Sequence, residues 1–366
     1  MVKLLAVALL AVAVALVYTV VQLRQQARGV IAADPRPVVI NDKLGADEQA
    51  TIEVFRRTAT SVVHITSIVA RRDRMSLDVT EIPQGTGSGF VWDTAGHVVT
   101  NAHVIAGADR AQVTLDDGTT YAAKVVGQEV NKDLAVLKID APPSKLRAIA
   151  VGRSANLQVG QKVLAIGNPF GLDHSLTSGV ISGVEREIKS TSGRTIFGVI
   201  QTDASINPGN SGGPLLDGGG NLIGINTAIY SPSGANAGIG FAVPVDTINA
   251  IVPELIGHGK VKRPGLGINI WPNKYNQRDL AGAVIRDVIP GGPAEAAGLV
   301  GFRTTGDGRL VLGDIIVGMA GQDIRDVNDL YKVLDNHRVG DSIDVVVRRE
   351  QERRTVKITL IDVSGK

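Results

Sequence analysis

The chain has 366 residues, 44% of them apolar, and carries 38 Lys and Arg against 36 Asp and Glu for a net charge of +2. That length exceeds one ordinary domain and predicts two or three units, each with a core, while so even a charge balance excludes the basic footprint of a nucleic-acid binder. There is no cysteine, which excludes disulfides, thiolate catalysis and cysteine metal ligands together and suits either redox compartment.

From Leu4 to Leu23 no residue carries a charge, and about 20 such residues span a bilayer as a helix. The apolar stretch of a cleaved signal peptide is shorter, roughly 7 to 15 residues, so a retained anchor is expected over 1–24. Lys3 lies on one side of it and Arg24 and Arg28 on the other, so flanking charge does not fix its orientation. Residues 25–50 mix Pro, Gly and charge without a period and read as a linker.

After a short amphipathic stretch near Ile52 to Arg57, strands begin. "SVVHITSIV" is the first; "SGFVWDTAGHVVTNAHV" is a hairpin turning at Asp93 to Gly96; "AQVTLDDGTTYAAKVVG" turns at Asp116 to Gly118; "LAVLKID" closes the group. A second group follows in "QKVLAIGNP", "LTSGVISGV", "GVIQTDA", "GPLLDGGGNLIGINTAIY" and "GIGFAVPV". Two sets of short strands of similar length predict paired β-barrels or sandwiches over 51–260. From about Val261 the texture changes to a compact α+β module, 261–366. "PGLGINI" and "AGAVIRDV" precede a short helix near Pro293 ending at Gly298. "GDIIVGMAG" is followed by the helix "DVNDLYKVLDN", with Val327, Leu330 and Leu334 on one face, and two alternating strands end the chain.

The stretch "DASINPGNSGGPLLD" crowds turn-formers around Ser211. A hydroxyl is a poor nucleophile until a base takes its proton, most often an imidazole held by a carboxylate. His103, in "TNAHVI", follows a strand, and Asp133, in "NKDLAVLKI", stands at the mouth of an apolar run, where an unpaired acid is costly to desolvate. Singly, each has an ordinary explanation: a surface histidine, a turn aspartate, a strand-connecting loop. Together they occur in the order His, Asp, Ser, two in the first strand group and one in the second, which is the chymotrypsin order. The histidines show no ligand spacing and there is no phosphate loop, so neither metal nor nucleotide cofactor is expected.

"TNAHV", "DLAVLKI", "IGNPFGL" and "IQTDASINPGNSGGPL" together resemble the HtrA (Deg) family of ATP-independent serine proteases, and "GLGI" with "GGPAEAAGL" resembles the PDZ domain that follows the protease in that family. The resemblance runs from about Thr51 to Asp362. It implies a mainly β fold, a chymotrypsin-like double β-barrel followed by an α+β PDZ domain, with the N-terminal transmembrane helix ahead of them. It also implies that His103 is general base and then acid, that Asp133 holds its tautomer, and that Ser211 is the nucleophile. The N–H groups of Gly209 and Ser211, together with Asn210, would form the oxyanion hole. Digestive members of the clan carry Asp before the serine; Asn210 cannot make the corresponding ion pair with a new amino terminus, so activation by zymogen cleavage is not expected.

Ser205 and Ile206, with Asn226, Thr227 and Ala228 on a facing strand, would line the primary pocket. No acid stands among them, so cleavage after small or medium aliphatic residues is expected. "SGVEREIKSTSGRTIFG" is polar and reads as a flexible regulatory loop, in which Arg186 matches an arginine that couples loop to PDZ domain. Gly265, Leu266, Gly267 and Ile268 would receive a peptide carboxylate, with Leu330 and Leu334 as the opposite wall. Phe55 and Phe170 match aromatic positions through which the family forms trimers. The whole implies a homotrimeric endopeptidase of the bacterial inner membrane, active in the periplasm on unfolded proteins. A peptide-activated protease with one membrane-linked substrate is the alternative, and an inactive chaperone the last. A transit peptide is disfavoured because the start lacks Arg- and Ser-rich character.

Overall fold

A computed structural model describes residues 2–28, 36, 38, 43–72, 79–207, 209–229, 238–271 and 281–364. These divide into two units between Ala46 and Asp47. In the first, α1 (Val2–Arg28) is a continuous helix whose Leu4–Gln26 stretch of 23 residues is long and apolar enough to cross a membrane. Most of the linker expected over 25–50 lies outside the described residues.

The second unit begins with α2 (Ala46–Thr58), whose first turn carries Asp47 and Glu48 and whose last carries Arg56 and Arg57, each opposing the helix dipole at its own end. The strands β1 (Val62–Arg72), β2 (Val79–Val91), β3 (His97–Thr100), β4 (Arg110–Thr114), β5 (Thr120–Glu129) and β6 (Leu134–Ile139) follow. They close into a barrel in the order β1-β2-β3-β6-β5-β4. A second closed barrel, in the order β10-β11-β12-β9-β8-β7, is made by β7 (Lys162–Gly167), β8 (Ser175–Lys189), β9 (Thr195–Thr202), β10 (Pro214–Asp217), β11 (Leu222–Ile229) and β12 (Gly240–Pro244).

Alternation along each strand sorts the apolar side chains. Val63, Ile65, Val91, Val98 and Leu137 fill the first barrel, and Val163, Ala165, Ile181, Ile200 and Leu215 fill the second. Their neighbours Val62, Phe90, Val99 and Val136 turn outward from one barrel to meet Leu164, Ile166, Leu216 and Val243 from the other. Leu134, Ala135, Val136 and Leu137 are therefore buried in succession, because β6 has apolar surroundings on both faces.

Across this seam lies α3 (Val245–His258), which is not among the elements read from the sequence. Val245, Ile248, Ile251, Val252 and Leu255 form its buried stripe, and Gly259 ends it at φ +70°. Pro253 inside the helix obscures that stripe in the sequence, since proline removes one backbone donor and usually marks a break.

The remaining residues form a smaller sheet. Its strands β14 (Ile268–Ile270), β15 (Ala283–Val288), β18 (Ile315–Met319), β20 (Ser342–Arg349) and β21 (Glu352–Thr359) lie in that order, with β19 (Gln322–Asp323) beside β18. The pair β13 (Pro264–Gly265) and β22 (Ile361–Asp362) closes one end, and β16 (Arg303–Thr304) and β17 (Leu310–Val311) form an exposed hairpin. Two helices, α4 (Pro293–Ala296) and α5 (Val327–Asp335), complete it; the Asp326 side chain caps α5 by accepting from the N–H groups of Asn328 and Asp329.

Ile248 is fully buried where the seam and α3 meet. Ile248→Ala is expected to lower the unfolding free energy by about 2–5 kcal/mol, read as a drop in the urea midpoint.

Candidate active site

His103 sits in the 3₁₀ turn Ala102–Ile105 just past β3. Its main-chain N–H donates to Asp133 Oδ1 at 3.0 Å, and its ring Nδ1 meets Asp133 Oδ2 at 2.7 Å. A carboxylate only accepts, so the Nδ1 of this bond carries the hydrogen and Nε2 is left with its lone pair. Asp133 closes the turn Val130–Lys132 in the left-handed region at φ +55° and is almost wholly buried, at 3% exposure. Aspartate tolerates this conformation better than bulkier residues. The Thr227 hydroxyl, from β11 of the other barrel, also donates to Asp133 Oδ2, and the Asn101 side-chain amide donates to the Asp133 carbonyl at 2.9 Å.

Ser211 comes from the second barrel, in the loop before β10. A Cβ on Gly212 (φ +86°) would lie 2.0 Å from the Ser88 carbonyl oxygen, and one on Gly209 (φ +103°) 2.3 Å from Pro169 Cβ. Both positions therefore exclude every side chain, on space and on φ alike. The Ser211 hydroxyl faces the Thr227 carbonyl at 3.5 Å and makes no hydrogen bond to His103 among the described residues. Ligand-free sites often leave this bond long, to be closed when substrate arrives. The two side chains line one cleft of about 480 Å³.

The loop corrects one expectation. The Asn210 N–H donates to the Asn207 carbonyl at 2.9 Å, closing a turn, so it is not directed at substrate. The N–H groups of Gly209 and Ser211 bond to no described residue.

The cleft takes Ile206 and Thr227 from the expected pocket but neither Ser205 nor Asn226. Ser205 is exposed and its carbonyl serves the Thr177 hydroxyl and the Asn210 amide. Asn226 is fully buried, its amide given to the Pro214 carbonyl at 3.0 Å. The strand's pleat turns Asn226 inward and Thr227 to the cleft. Ala228 pairs through its backbone with Phe241, and its side chain lies outside the description. The first barrel contributes a wall the sequence reading missed, Ser67, Gln84, Gly85, Thr86, Val104 and Ala106. Nothing local in "PQGTG" marks it, because a β-bulge between Ser67 and Ile68 sets that edge's path. Among the described residues no carboxylate lines the cleft.

In the smaller module Gly265 pairs with Ile361 and Leu266 is buried in the core. Gly267 has φ +76°, and Ile268 opens the edge strand β14. That free edge is the place where an extended peptide can add as a further strand. Leu330 and Leu334 offer little surface to a groove, since both are buried in one core with Ala283, Ile316 and Val345, and the apolar half-buried positions of α5 are Val327 and Tyr331. Apolar spacing identifies the buried face of α5.

The stretch expected as a flexible loop is a hairpin. Ile188 pairs with Ile196 and Lys189 with Thr195, around a turn from Ser190 to Gly193. Arg186 stays within it, donating to Gln201 at 3.1 Å. Arg194 instead reaches the module, its guanidinium 3.6 Å from the centre of the Tyr331 ring. Beside it Thr195 donates to Asn328 at 3.1 Å, and Lys132 pairs with Asp335 at 2.6 Å. Arg263 grips the buried Glu129 through both carboxylate oxygens at 2.9 and 3.0 Å.

A trypsin-like peptidase domain matches residues 87–225, and a PDZ domain matches residues 264–360. Over 320 residues the chain is 57% identical to Protease Do-like 1, chloroplastic, of Arabidopsis thaliana, covering 87% of this chain and 73% of that one. The chain belongs to the HtrA (Deg) family of serine proteases. It is also 39% identical, over 283 residues, to a probable periplasmic serine endoprotease DegP-like of Halomonas elongata; that match covers 75% of this chain and 56% of the relative. The solved HtrA-type protease AlgW with decapeptide matches with TM-score 0.68 at 33% identity, over 86% of this chain and 99% of that one. The two closed barrels are thus the chymotrypsin-like protease of this family and the smaller module its PDZ domain.

Thr227→Val keeps the shape of the cleft and deletes the hydroxyl that Asp133 accepts from. A hydrogen bond to a charged group contributes about 1.5–3 kcal/mol, so kcat is expected to fall roughly ten- to a hundredfold with KM nearly constant, in steady-state cleavage of labelled casein.

Proposed function

We propose that the protein is a serine endopeptidase acting on unfolded chains through His103, Asp133 and Ser211, with its rate raised by a peptide bound to the PDZ domain. The observation that carries the first half is the pairing of His103 with buried Asp133 beside Ser211 in one cleft, next to two unengaged N–H groups. In the reaction, His103 Nε2 takes the Ser211 proton as Oγ attacks the scissile carbonyl. The imidazolium so formed is held by Asp133, and the Gly209 and Ser211 N–H groups receive the developing oxyanion. His103 then gives the proton to the leaving amine, and water repeats the sequence on the acyl-enzyme. A cleft with Ile206 and Thr227, and no carboxylate among its described residues, favours small or medium aliphatic side chains before the cut bond.

The second half rests on α5. It flanks the peptide edge and is tied through Asn328, Tyr331 and Asp335 to Thr195, Arg194 and Lys132 of the protease. A peptide entering between β14 and α5 has to press on Tyr331, and through it on the hairpin. The neighbours solved with decapeptide and tripeptide are HtrA-type proteases in which a peptide is bound, which supports the same use here. An alternative within this reading is a regulator that cuts one membrane-linked substrate only when peptide is present.

We further propose the partition 1–24 anchor, 25–50 linker, 51–260 protease and 261–366 PDZ domain, and a homotrimer. Phe170 and Leu172 are 79% and 84% exposed in the β7–β8 loop, apolar surface suited to a second copy, whereas Phe55 is half-buried against the seam. The apolar helix, together with the periplasmic DegP-like relative, supports a membrane-anchored protease of the bacterial periplasm. The chloroplastic names of other relatives make the plastid the alternative compartment.

Casein cleavage by the full chain in detergent is expected to vanish in Ser211→Ala, a loss on the order of a million-fold in the subtilisin precedent, and to rise with peptides ending in apolar residues. Cleavage seen only with peptide selects the regulator, and equal rates for parent and variant abolish the catalytic reading. In Arg194→Ala the stack on Tyr331 is gone, so the ratio of stimulated to basal rate is expected to fall about five- to thirtyfold, the range of about one to two kcal/mol of coupling.

A further inference from the structure

We propose that Ser88, on β2 of the first barrel, is a positioning residue for the oxyanion hole, its hydroxyl holding the Gly209 carbonyl and so fixing how the two N–H donors converge. The inference rests on the reading of Ser211 as nucleophile.

Ser88 is fully buried, and every polar group it has is engaged around the nucleophile loop. Its N–H donates to the Ser211 carbonyl at 2.9 Å, and its carbonyl accepts from the Thr100 hydroxyl at 2.7 Å. Its own hydroxyl donates to the Gly209 carbonyl at 2.5 Å and accepts from the Asn168 N–H at 2.8 Å. Asn168 is held in turn, since its carbonyl accepts from His64 Nδ1 at 2.8 Å, and the Thr66 hydroxyl meets the far side of that ring at 3.1 Å. One hydroxyl thus joins the first barrel to two loops of the second.

The Gly209 carbonyl and the Asn210 N–H belong to one peptide plane. Ser88 holds its carbonyl and the Asn207 carbonyl holds its N–H. This plane lies between the two peptides that present the Gly209 and Ser211 N–H groups, so its rotation sets the angle between those donors. Glycine at φ +103° has no Cβ to resist such rotation. The residue that must be glycine to pack on Pro169 is therefore free to turn, and the hydroxyl of Ser88 removes that freedom. The Ser88 main-chain bonds would be made by any residue at that position; only the hydroxyl is particular to serine. Its loss leaves two buried groups, the Gly209 carbonyl and the Asn168 N–H, without a partner.

The test compares the parent, Ser88→Ala, Ser88→Cys and Ser211→Ala as full chains in detergent, with the stimulating peptide saturating. Measured are kcat and KM on labelled casein and the affinity of a peptide boronic acid ending in the boron analogue of valine, which mimics the tetrahedral intermediate. Loss of a whole oxyanion donor costs about 10²–10³ in kcat, so misaimed donors in Ser88→Ala are expected to cost roughly 10–100-fold. KM should stay within about twofold, and boronate affinity should fall by the same factor as kcat/KM. Ser88→Cys fills nearly the same space with a weaker donor, is expected to lie between the two, and decides the matter where the alanine variant does not fold. An undiminished kcat in the folded variants, or a loss of kcat with boronate affinity unchanged, overturns the inference. Ser211→Ala separates its failure from that of the underlying reading: full activity there removes the nucleophile itself, and the inference with it.

Discussion

The contact between two barrels governs this protein's chemistry. His103 and Asp133 belong to one barrel and Ser211 to the other, so no local structure holds the proposed base and nucleophile together. What holds them is an apolar seam, Phe90, Val99 and Val136 against Leu164, Ile166 and Leu216, with α3 laid across it. Catalytic groups need placement to about half an ångström, and a close-packed interface supplies it because any shift opens voids. Directional bonds then cross where the seam meets the site. Thr227 reaches from the second barrel to Asp133, and Ser88 from the first to Ser211 and Gly209.

Asp133 shows how the same arrangement meets an electrostatic demand. A carboxylate at 3% exposure is unfavourable unless hydrogen-bonded. Here it accepts from the His103 ring, the His103 N–H and the Thr227 hydroxyl. Two of those donors come from the residue it orients, so the bonds that compensate its desolvation are also those that direct the imidazole. Glu129 plays a parallel part near the PDZ domain, buried and held by Arg263. Both acids lie at the ends of the turn Val130–Lys132, so one short segment carries a tie to His103 and a tie to Arg263 at the start of the PDZ module.

Much of this was legible in the sequence. Hairpin turns announce themselves through Gly and Asp at fixed offsets, and strands through alternation, so the two strand groups and the α+β module are legible from pattern alone, while the PDZ identity comes from the resemblance. The glycines around Ser211 were legible too, because few backbones need so many. The unread parts share one cause: they depend on which neighbour lies across space. Apolar spacing in α5 shows that Leu330 and Leu334 face a core, not that the opposite face meets Tyr331's partner. Composition shows an arginine-bearing polar stretch, but only the hairpin register sets Arg186 against Gln201 and carries Arg194 to Tyr331 of the PDZ domain. The Asn210 N–H looked available until the turn to Asn207 was seen.

These placements define a physical route between peptide and cleft. The hairpin that carries Arg194 continues down β9 through Val199 and Ile200 to Thr202, whose hydroxyl donates to Val180 and whose oxygen accepts from the Ala204 N–H. From Ala204 only a few residues lead to Asn207, whose carbonyl holds the Asn210 N–H, and to Gly209, held by Ser88. The strand is held by a ladder of bonds to β8, while the loop after it is held by single hydrogen bonds, that of Ser88 to Gly209 among them. A displacement at Tyr331 therefore acts on the element whose end is least constrained, and a small shift there changes the angle between donors before it disturbs the barrels. Coupling of the kind proposed needs no rearrangement of the core: the close-packed seam holds His103 and Asp133 in one barrel, and only the loop around Gly209 has to move.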